Sequence, residues 1–462
     1  MKRSFNPTKL AVAMASVLGA AVTATPTFAV NLSDNGLGDV GLVPYYTVRN
    51  NIDTNLSVVN TSDRYVAAFK IRFREGDNTR DARDFVVFLS PNDVWTATVT
   101  RLPDGDDDPA NDVPVLLTSD LSCTAPILEP VPELGGRPGI AFTNIDYAGG
   151  GLTPADDGSD TIERAQEGHV EVIEMGVADP DVSVLAAWAT HVDGPGEPQP
   201  PLPPLDCNGI TRVYLAERSI PASGVCGLLP GGTEIGGANT AAPGNLAFKE
   251  EFCEPLNVLK VSANLIRVDM GVAGGMPVEM LANFYNPGPG GVEVPNAPDF
   301  RDLMETPDSP DPNLRDVNPA RSVQITEAGA LDVAFVRPED AVSSLFMATD
   351  VINEYAIGGA ALAQNAWVLT FPTKNFYVDT FYNIGDPIPF QFHFQDDADG
   401  PGLSCVTVDF EYYDREENSP TAPPSGLLPS PPPIVPIPED SICQEVQTLN
   451  FGDMPLLGSN NN

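Results

Sequence analysis

Residues able to do nucleophilic or redox chemistry are scarce in this chain, whereas residues able to hold a hard cation are abundant. Only three histidines occur, His169, His191 and His393, among 462 residues. A serine or cysteine nucleophile needs a base within hydrogen-bond reach, yet no G-x-S-x-G elbow is present and each histidine lies in or beside a strand-like segment. Their types and spacing read as structural or solvent-facing positions. H-E-x-x-H, the Walker loop and the dinucleotide fingerprint are also missing. Carboxylate chemistry needs only two acids, and Glu171 with Glu174, or Asp409 with Glu411, supply pairs; ordinary solvated strands would carry the same pairs. No catalytic residue is assigned, and an enzyme is the lesser expectation.

Calcium takes six to eight oxygens from a short loop. Three Asp-rich stretches offer them: Asp104, Asp106 and Asp108 in the first, Asp156, Asp157 and Asp160 in the second, Asp397 and Asp399 in the third. None completes an EF-hand, since counting from Asp104 puts Pro109 and Val115 where glycine and glutamate belong. Ca2+ is the one cofactor these residues suggest, against the plainer reading of solvated acidic loops. Six cysteines, at 123, 207, 226, 253, 405 and 443, form no CxxC pair. In an oxidising compartment they read as up to three disulfides. Cys405 with Cys443 would close the proline-rich loop between them, leaving the other four to pair in the middle of the chain.

These residues must be positioned by strands. Phe69 to Arg74 alternates apolar and basic side chains, the period of a sheet with one face in water. Phe85–Leu89 and Val94–Val99 flank the turn Ser90-Pro91-Asn92-Asp93 and should be adjacent or corner-linked. His169–Glu174, Asn257–Tyr285, Ala366–Phe371 and Asn375–Val378 look extended, and Phe390–Gln395 with Val406–Tyr413 forms a hairpin pattern. Glycine and proline, 40 and 47 residues, make up about one residue in five against an average of roughly one in eight. That composition disfavours long helices. The expected fold is mainly β, one or more antiparallel β-sandwich-like domains with long Pro/Gly/Asp-rich loops. The segments are 1–29 as a signal peptide, 30–118 as an N-terminal β region, 119–256 as a middle disulfide-containing β region, and 257–462 as a C-terminal β region with a Pro-rich loop at 419–438.

The signal rests on Lys2, Arg3 and Lys9, an apolar run from Leu10 to Val22, and Thr27-Phe28-Ala29 as a small-residue cleavage site. No later stretch of eighteen apolar residues follows. The expected location is secreted or cell-surface, with the periplasm as the alternative. The formal net charge is −40, and the signal carries three of the basic residues and no acidic one. Such a field repels phosphate backbones and anionic lipid, which argues against nucleic acid and lipid surfaces as partners. Arg49–Arg101 stands apart, with eight basic residues against seven acidic ones. Its near-neutrality allows head-to-body attraction between copies, or simply local charge pairing.

Asn31–Asp39 running into Val43–Arg49, Ser57–Thr61, Phe73–Gly76, Leu89–Ala97, Glu167–Gly176 and Trp367–Lys374 together resemble a family of uncharacterised secreted proteins of marine and other proteobacteria. The resemblance implies an exported protein and brings no catalytic residues. The functional expectation is a secreted or surface-associated structural or adhesive protein that self-associates as a homo-oligomer or fibre. Its contact strand would be the apolar segment Leu42, Val43, Tyr45, Tyr46 and Val48 near the new N-terminus. A carbohydrate-binding module recognising a surface glycan is the alternative, and a carboxylate-dependent glycoside hydrolase comes third.

Overall fold

A computed structural model describes residues 29–191 apart from 107, 151–154 and 157, then 202–217, 227–228, 234–235 and 251–285. In the C-terminal part it describes 313–316, 320–326, 329–347, 366–379, 395–396, 404–407, 441–442 and 444–450. The Pro-rich loop 419–438 lies outside these residues.

Eleven strands are formed before residue 180: β1 (Asn31–Leu32), β2 (Val40–Thr47), β3 (Asp53–Asn60), β4 (Val66–Glu75), β5 (Asp81–Leu89), β6 (Val94–Leu102), β7 (Val113–Leu117), β8 (Cys123–Ala125), β9 (Glu129–Val131), β10 (Arg137–Ala141) and β11 (Glu167–Ala178). With Leu259–Arg267, Val272–Met276 and Glu279–Ala282 they build two seven-stranded sheets. The first sheet runs β1, Glu279–Ala282, β2, β11, β4, β5, β8; the second runs Val272–Met276, Leu259–Arg267, β3, β6, β7, β10, β9. Every neighbouring pair within the two sheets is antiparallel. This is the mainly β sandwich that the alternation predicts.

The inner faces meet over Phe69, Ile71, Phe73, Phe85, Val87, Val170 and Val172 from the first sheet, and Leu56, Val58, Trp95, Val99 and Leu116 from the second. Trp95, fully buried, sits edge-on to Phe69 and Phe85 at centroid distances of 6.2 and 5.9 Å. Such contacts add to the burial of a large apolar surface. The turn Ser90–Asp93 carries the chain from β5 in one sheet to β6 in the other, so these strands are corner-linked. Asn92 takes φ 57° there, a conformation its short side chain tolerates. The corner is fixed by Asn60, whose side-chain amide donates to Tyr65 O, Leu89 O and Ser90 O at 2.8, 3.1 and 2.9 Å.

One expectation fails in this core. Lys70, Arg72 and Arg74 alternate with the inner phenylalanines as anticipated, but their face is buried and all three are 0% exposed. Alternation reports that two faces differ and is silent about what covers each. At one end the helices Val184–Ala189 and Cys207–Glu217 pack on Val66, Ala68, Val86, Phe88 and Met175. The Cys123–Cys207 disulfide joins the second helix to β8. At the other end Phe284, Leu314, Ala341, Val342 and Phe376 cover Val40, Leu42 and Ile173.

Further along the chain, Ala366–Thr370 pairs antiparallel with Val446–Asn450. Asn375–Val378, expected to be extended, is a one-turn helix that buries Phe376 and Tyr377. Gln395–Asp396 pairs with Ser404–Thr407, which in turn pairs with Ser441–Ile442. Cys253 is disulfide-bonded too, and Cys443 lies outside the described residues. Among the described residues no helix is long and apolar enough to cross a membrane.

Candidate functional site

Three places gather chemistry: a charged row on the outer face of the first sheet, a carboxyl pair where the two sheets join, and a bare edge of the second sheet.

The row follows from register. β11 sets His169 opposite Arg74 and Glu171 opposite Arg72, while β4 sets Arg72 opposite Asp84 and Arg74 opposite Asp81. Side chains reach diagonally: Arg72 to Asp81 at 2.8 Å, Arg74 to Glu171 at 3.5 Å, and Lys70 to Asp84. Three cations thereby face three carboxylates with all six groups buried, an arrangement that removal of one partner would break at high cost. Burial would push the Glu171 carboxyl up, but Arg74, His169 and Arg72 outweigh it and hold it below the usual glutamate range. His169 Nε2 lies 3.6 Å from Glu171 Oε1, too long for a hydrogen bond, and neither ring nitrogen has a hydrogen-bond partner. His191 is half-buried and rests on Leu202 O at 2.6 Å and Asp93 at 3.3 Å. His393 lies outside the described residues.

The remaining basic residues of Arg49–Arg101 are also engaged within the molecule. Arg49 meets Glu167 at 3.3 Å, Arg64 meets Asp179 at 2.6 Å, Arg101 meets Asp112 at 3.2 Å, Arg80 grips Asp379, and Arg83 Nε donates to Ala141 O at 2.8 Å. The charge complementarity seen in the sequence is thus satisfied inside one chain. Leu42, Val43, Tyr45, Tyr46 and Val48 are buried, and β2 lies between β11 and Glu279–Ala282. It is an interior strand with no free edge.

The acidic loops divide. Asp104 Oδ1 accepts from Asp106 N, Asp106 Oδ1 from Asp108 N, and Asp108 Oδ1 from Ala110 N, at 2.9, 2.7 and 3.1 Å. These carboxylates shape their own loop. Asp156 accepts from Arg164 Nη1 at 2.7 Å and Asn78 Nδ2 at 3.1 Å. Burial would raise its carboxyl, and the Arg164 contacts bring it below the usual range. Arg164 also forks onto Glu75 at 2.6 and 2.9 Å and stacks 4.5 Å from the Tyr147 ring centre. Asp160 is exposed and its carbonyl accepts from Asn144. Asp157, Asp397 and Asp399 lie outside the described residues. Among the described residues no group of three or more His, Cys, Asp or Glu side chains is placed to hold a metal ion.

Glu171 and Glu174, proposed as a carboxylate pair, are three residues apart on a strand and so face opposite sides. Glu174 has a different partner, Asp39, 135 positions earlier and invisible to local pattern. Asp39 accepts from Asn257 N at 2.7 Å and Tyr285 N at 3.1 Å; Glu174 accepts from Leu256 N at 2.8 Å and Val258 N at 3.1 Å. Burial pushes Asp39 up to about 7 and Glu174 well above the usual range, the latter helped by the charge of Asp39. Both carboxyls are enclosed and occupied with backbone N–H groups, so no substrate reaches them.

The bare edge is Val272–Met276. It pairs with Leu259–Arg267 on one side, from Arg267 opposite Val272 to Ala263 opposite Met276, and among the described residues it ends the second sheet on the other. Ala273, Gly274 and Gly275 are exposed, and a Cβ added at Gly274 or Gly275 would meet nothing within 4 Å. The strand holds neither proline nor charge. Val268, in the turn before it, is 72% exposed. Large exposed apolar side chains among the described residues are all aliphatic or Met, including Ile325, Leu331 and Val336 near the outlying hairpin Arg321–Ala334; Trp95, Tyr45 and Tyr46 are buried.

The fold and these features define an antiparallel two-sheet sandwich protein whose second sheet has an open edge among the described residues. No family model, no curated protein and no solved structure matches the chain.

Proposed function

We propose that this is an exported, surface-associated structural or adhesive protein that self-associates through the sheet edge Val272–Met276. The observation that carries the reading is that edge: exposed, uncharged, free of proline and, among the described residues, without a covering side chain at Gly274 or Gly275. A strand with free N–H and C=O groups is a template for another strand, and proteins that avoid such pairing place Lys, Pro or a cover there. The partner is a second copy of the chain. Two Val272–Met276 strands laid antiparallel bring glycine near glycine and set no like charges opposite each other, despite a net charge of −40 on each chain. That charge makes association weakest at low ionic strength, where repulsion is least screened. Export is supported by the Lys2/Arg3 start and the Thr27-Phe28-Ala29 site. Aromatic platforms of the kind that stack on sugars are not exposed among the described residues, which ranks assembly above glycan recognition.

Light scattering on the chain beginning at Val30, across salt concentrations, tests this. Oligomers that grow with salt and disappear in Gly274→Lys are expected; the open space at Gly274 lets the lysine in without disturbing the sandwich. A strictly monomeric protein at every salt concentration, or oligomers indifferent to Gly274→Lys, would sink it.

A further inference from the structure

One buried lysine stands apart from the charged row. Lys374 and Glu445 are 3% and 0% exposed, and Nζ lies 3.6 Å from Oε1, beyond hydrogen-bond reach. Backbone contacts fix both carriers: Phe371 N donates to Glu445 O at 2.8 Å, while Glu445 N and Val446 N donate to Asp77 O and Gly76 O at 3.3 and 2.8 Å. Lys374 leads directly into the helix Asn375–Val378. Among the described residues neither carboxylate oxygen of Glu445 has a hydrogen-bond partner, and the Thr79 hydroxyl, fully buried beside it, has none either. An ion pair in that setting has its lost hydration poorly offset. Burial pushes the Glu445 carboxyl up to about 8 against the pull of Lys374, and pushes the Lys374 amine below its usual range against the pull of Glu445 and Asp77. Both groups are thereby driven towards their neutral forms, an amine facing a carboxylic acid. Lys70 against Asp84 differs, because register places Arg72 opposite Asp84 and its charge suits an ionised carboxylate.

We propose that Lys374 Nζ and Glu445 Cδ join in an amide bond, a covalent cross-link that the chain makes for itself once folded. The step needs no oxidant, reductant or cofactor. One proton passes from the ammonium to the carboxylate. The lone pair of the neutral amine then attacks Cδ, forming the C–N bond while the carbonyl electron pair moves onto oxygen, where the Thr79 hydroxyl donates to it. A second proton leaves nitrogen for the acid's hydroxyl oxygen, the Cδ–O bond breaks, and an ammonium and a carboxylate have become an amide and one water. In bulk water the separate ions are favoured, and two features reverse that balance here. Well-oriented neighbours react with effective molarities of about 10⁵–10⁸ M, and the amide removes two charges from an enclosed site. The bond adds a covalent tie to the pairing of Ala366–Thr370 with Val446–Asn450. It is a property of the single chain and does not rest on the edge reading.

Mass spectrometry of the folded chain beginning at Val30 tests this. After reduction the intact mass is expected to fall short of the sequence mass by one water. Trypsin is expected to leave Lys374 uncut, with the peptide that carries it joined to the C-terminal peptide 416–462. Fragmentation should place the joint between Lys374 and Glu445, which separates it from a water lost elsewhere. Lys374→Arg keeps the charge, but a guanidinium stays protonated and is no nucleophile, so its mass should be that of its sequence. Reduced wild type should also run ahead of Lys374→Arg in a denaturing gel, because residues 374 and 445 remain tied. Full sequence mass with cleavage after Lys374 in the folded wild type overturns the cross-link. A joint at another pair of residues, or a water still missing from folded Lys374→Arg, overturns it as well. If Lys374→Arg does not fold, the wild-type peptide map decides alone.

Discussion

The second sheet has two ends, and they are built to opposite specifications. At one end β9 reads Glu129-Pro130-Val131 and runs into Pro132-Glu133, so two prolines lack N–H groups and two carboxylates stand guard. At the other end Val272-Ala273-Gly274-Gly275-Met276 has neither. Both strands are exposed and both have a single neighbour among the described residues. Exposure alone therefore does not mark a contact surface. The mark is exposure without the residues that discourage pairing, in a chain that uses those residues at its other edge.

The largest effect expected is one that spoils both ends together. Trp95→Ala removes the side chain packed between Phe69 and Phe85 at the centre of the sandwich, and urea unfolding should show a loss of about 3–5 kcal/mol. A loss well below that range would mean the two edges do not hang on one core. Next comes pH. The folded-state value for Asp39, about 7 against an ordinary 3.8, means that folding binds a proton. Its contribution is fully present below the unfolded value and declines as pH rises towards the folded one. Asp39 should thus contribute a fall of about 4 kcal/mol between acid and neutral pH, read as the difference between the pH profiles of wild type and Asp39→Asn. Denaturant midpoints of wild type that fall no more steeply over this window than those of Asp39→Asn would refute the assignment.

The two edges can then be exchanged. Gly274→Lys should weaken self-association at least about tenfold, worth about 1.4 kcal/mol. Glu129→Thr with Pro130→Thr should open the guarded end and let assemblies grow beyond a pair, as seen by sedimentation. If the double variant behaves like wild type, proline and glutamate are not what closes that end. The smallest effect concerns calcium. Since Asp104, Asp106 and Asp108 already cap their own loop, millimolar calcium should raise Tm by less than the roughly 2–4 °C that one kcal/mol is worth in a domain of about 150–250 residues. Titration calorimetry against a Gly/Ser replacement of that loop would expose a defined site as saturable heat lost in the replacement.

Much of the sandwich is written in local pattern. Phe69–Arg74, Phe85–Leu89, Val94–Val99 and His169–Glu174 fall within β4, β5, β6 and β11, and the Pro-Asn-Asp turn lies between β5 and β6. Period-2 alternation is a backbone property and survives in the sequence. What lies on top of a face is not, so Lys70, Arg72 and Arg74 looked solvated when helices and C-terminal residues flank their row on both sides. Asn375–Val378 misled because aromatic and β-branched residues favour strands only where a neighbouring strand receives them; here burial of Phe376 decides. Asp39 carries no signal of its own, because its meaning comes from Glu174 and from backbone N–H groups more than two hundred positions away. The open edge was legible in principle, as five residues without charge or proline after a Val-Asp-Met-Gly turn.

The order of strands has a consequence for how the chain is made. β2 needs β11 and Glu279–Ala282 as neighbours, and β3 needs Leu259–Arg267. In a chain emerging with its N-terminus first, β2 meets its first partner only at β11, and β3, though it pairs early with β6, keeps its other side open until Leu259–Arg267 arrives. Pairings this distant in sequence make for slow closure, and during that wait β2, rich in Val, Leu and Tyr, is itself an open edge. The sandwich is thus most prone to wrong company before it is finished, and an escort that covers β2 and the open side of β3 during synthesis would raise yield.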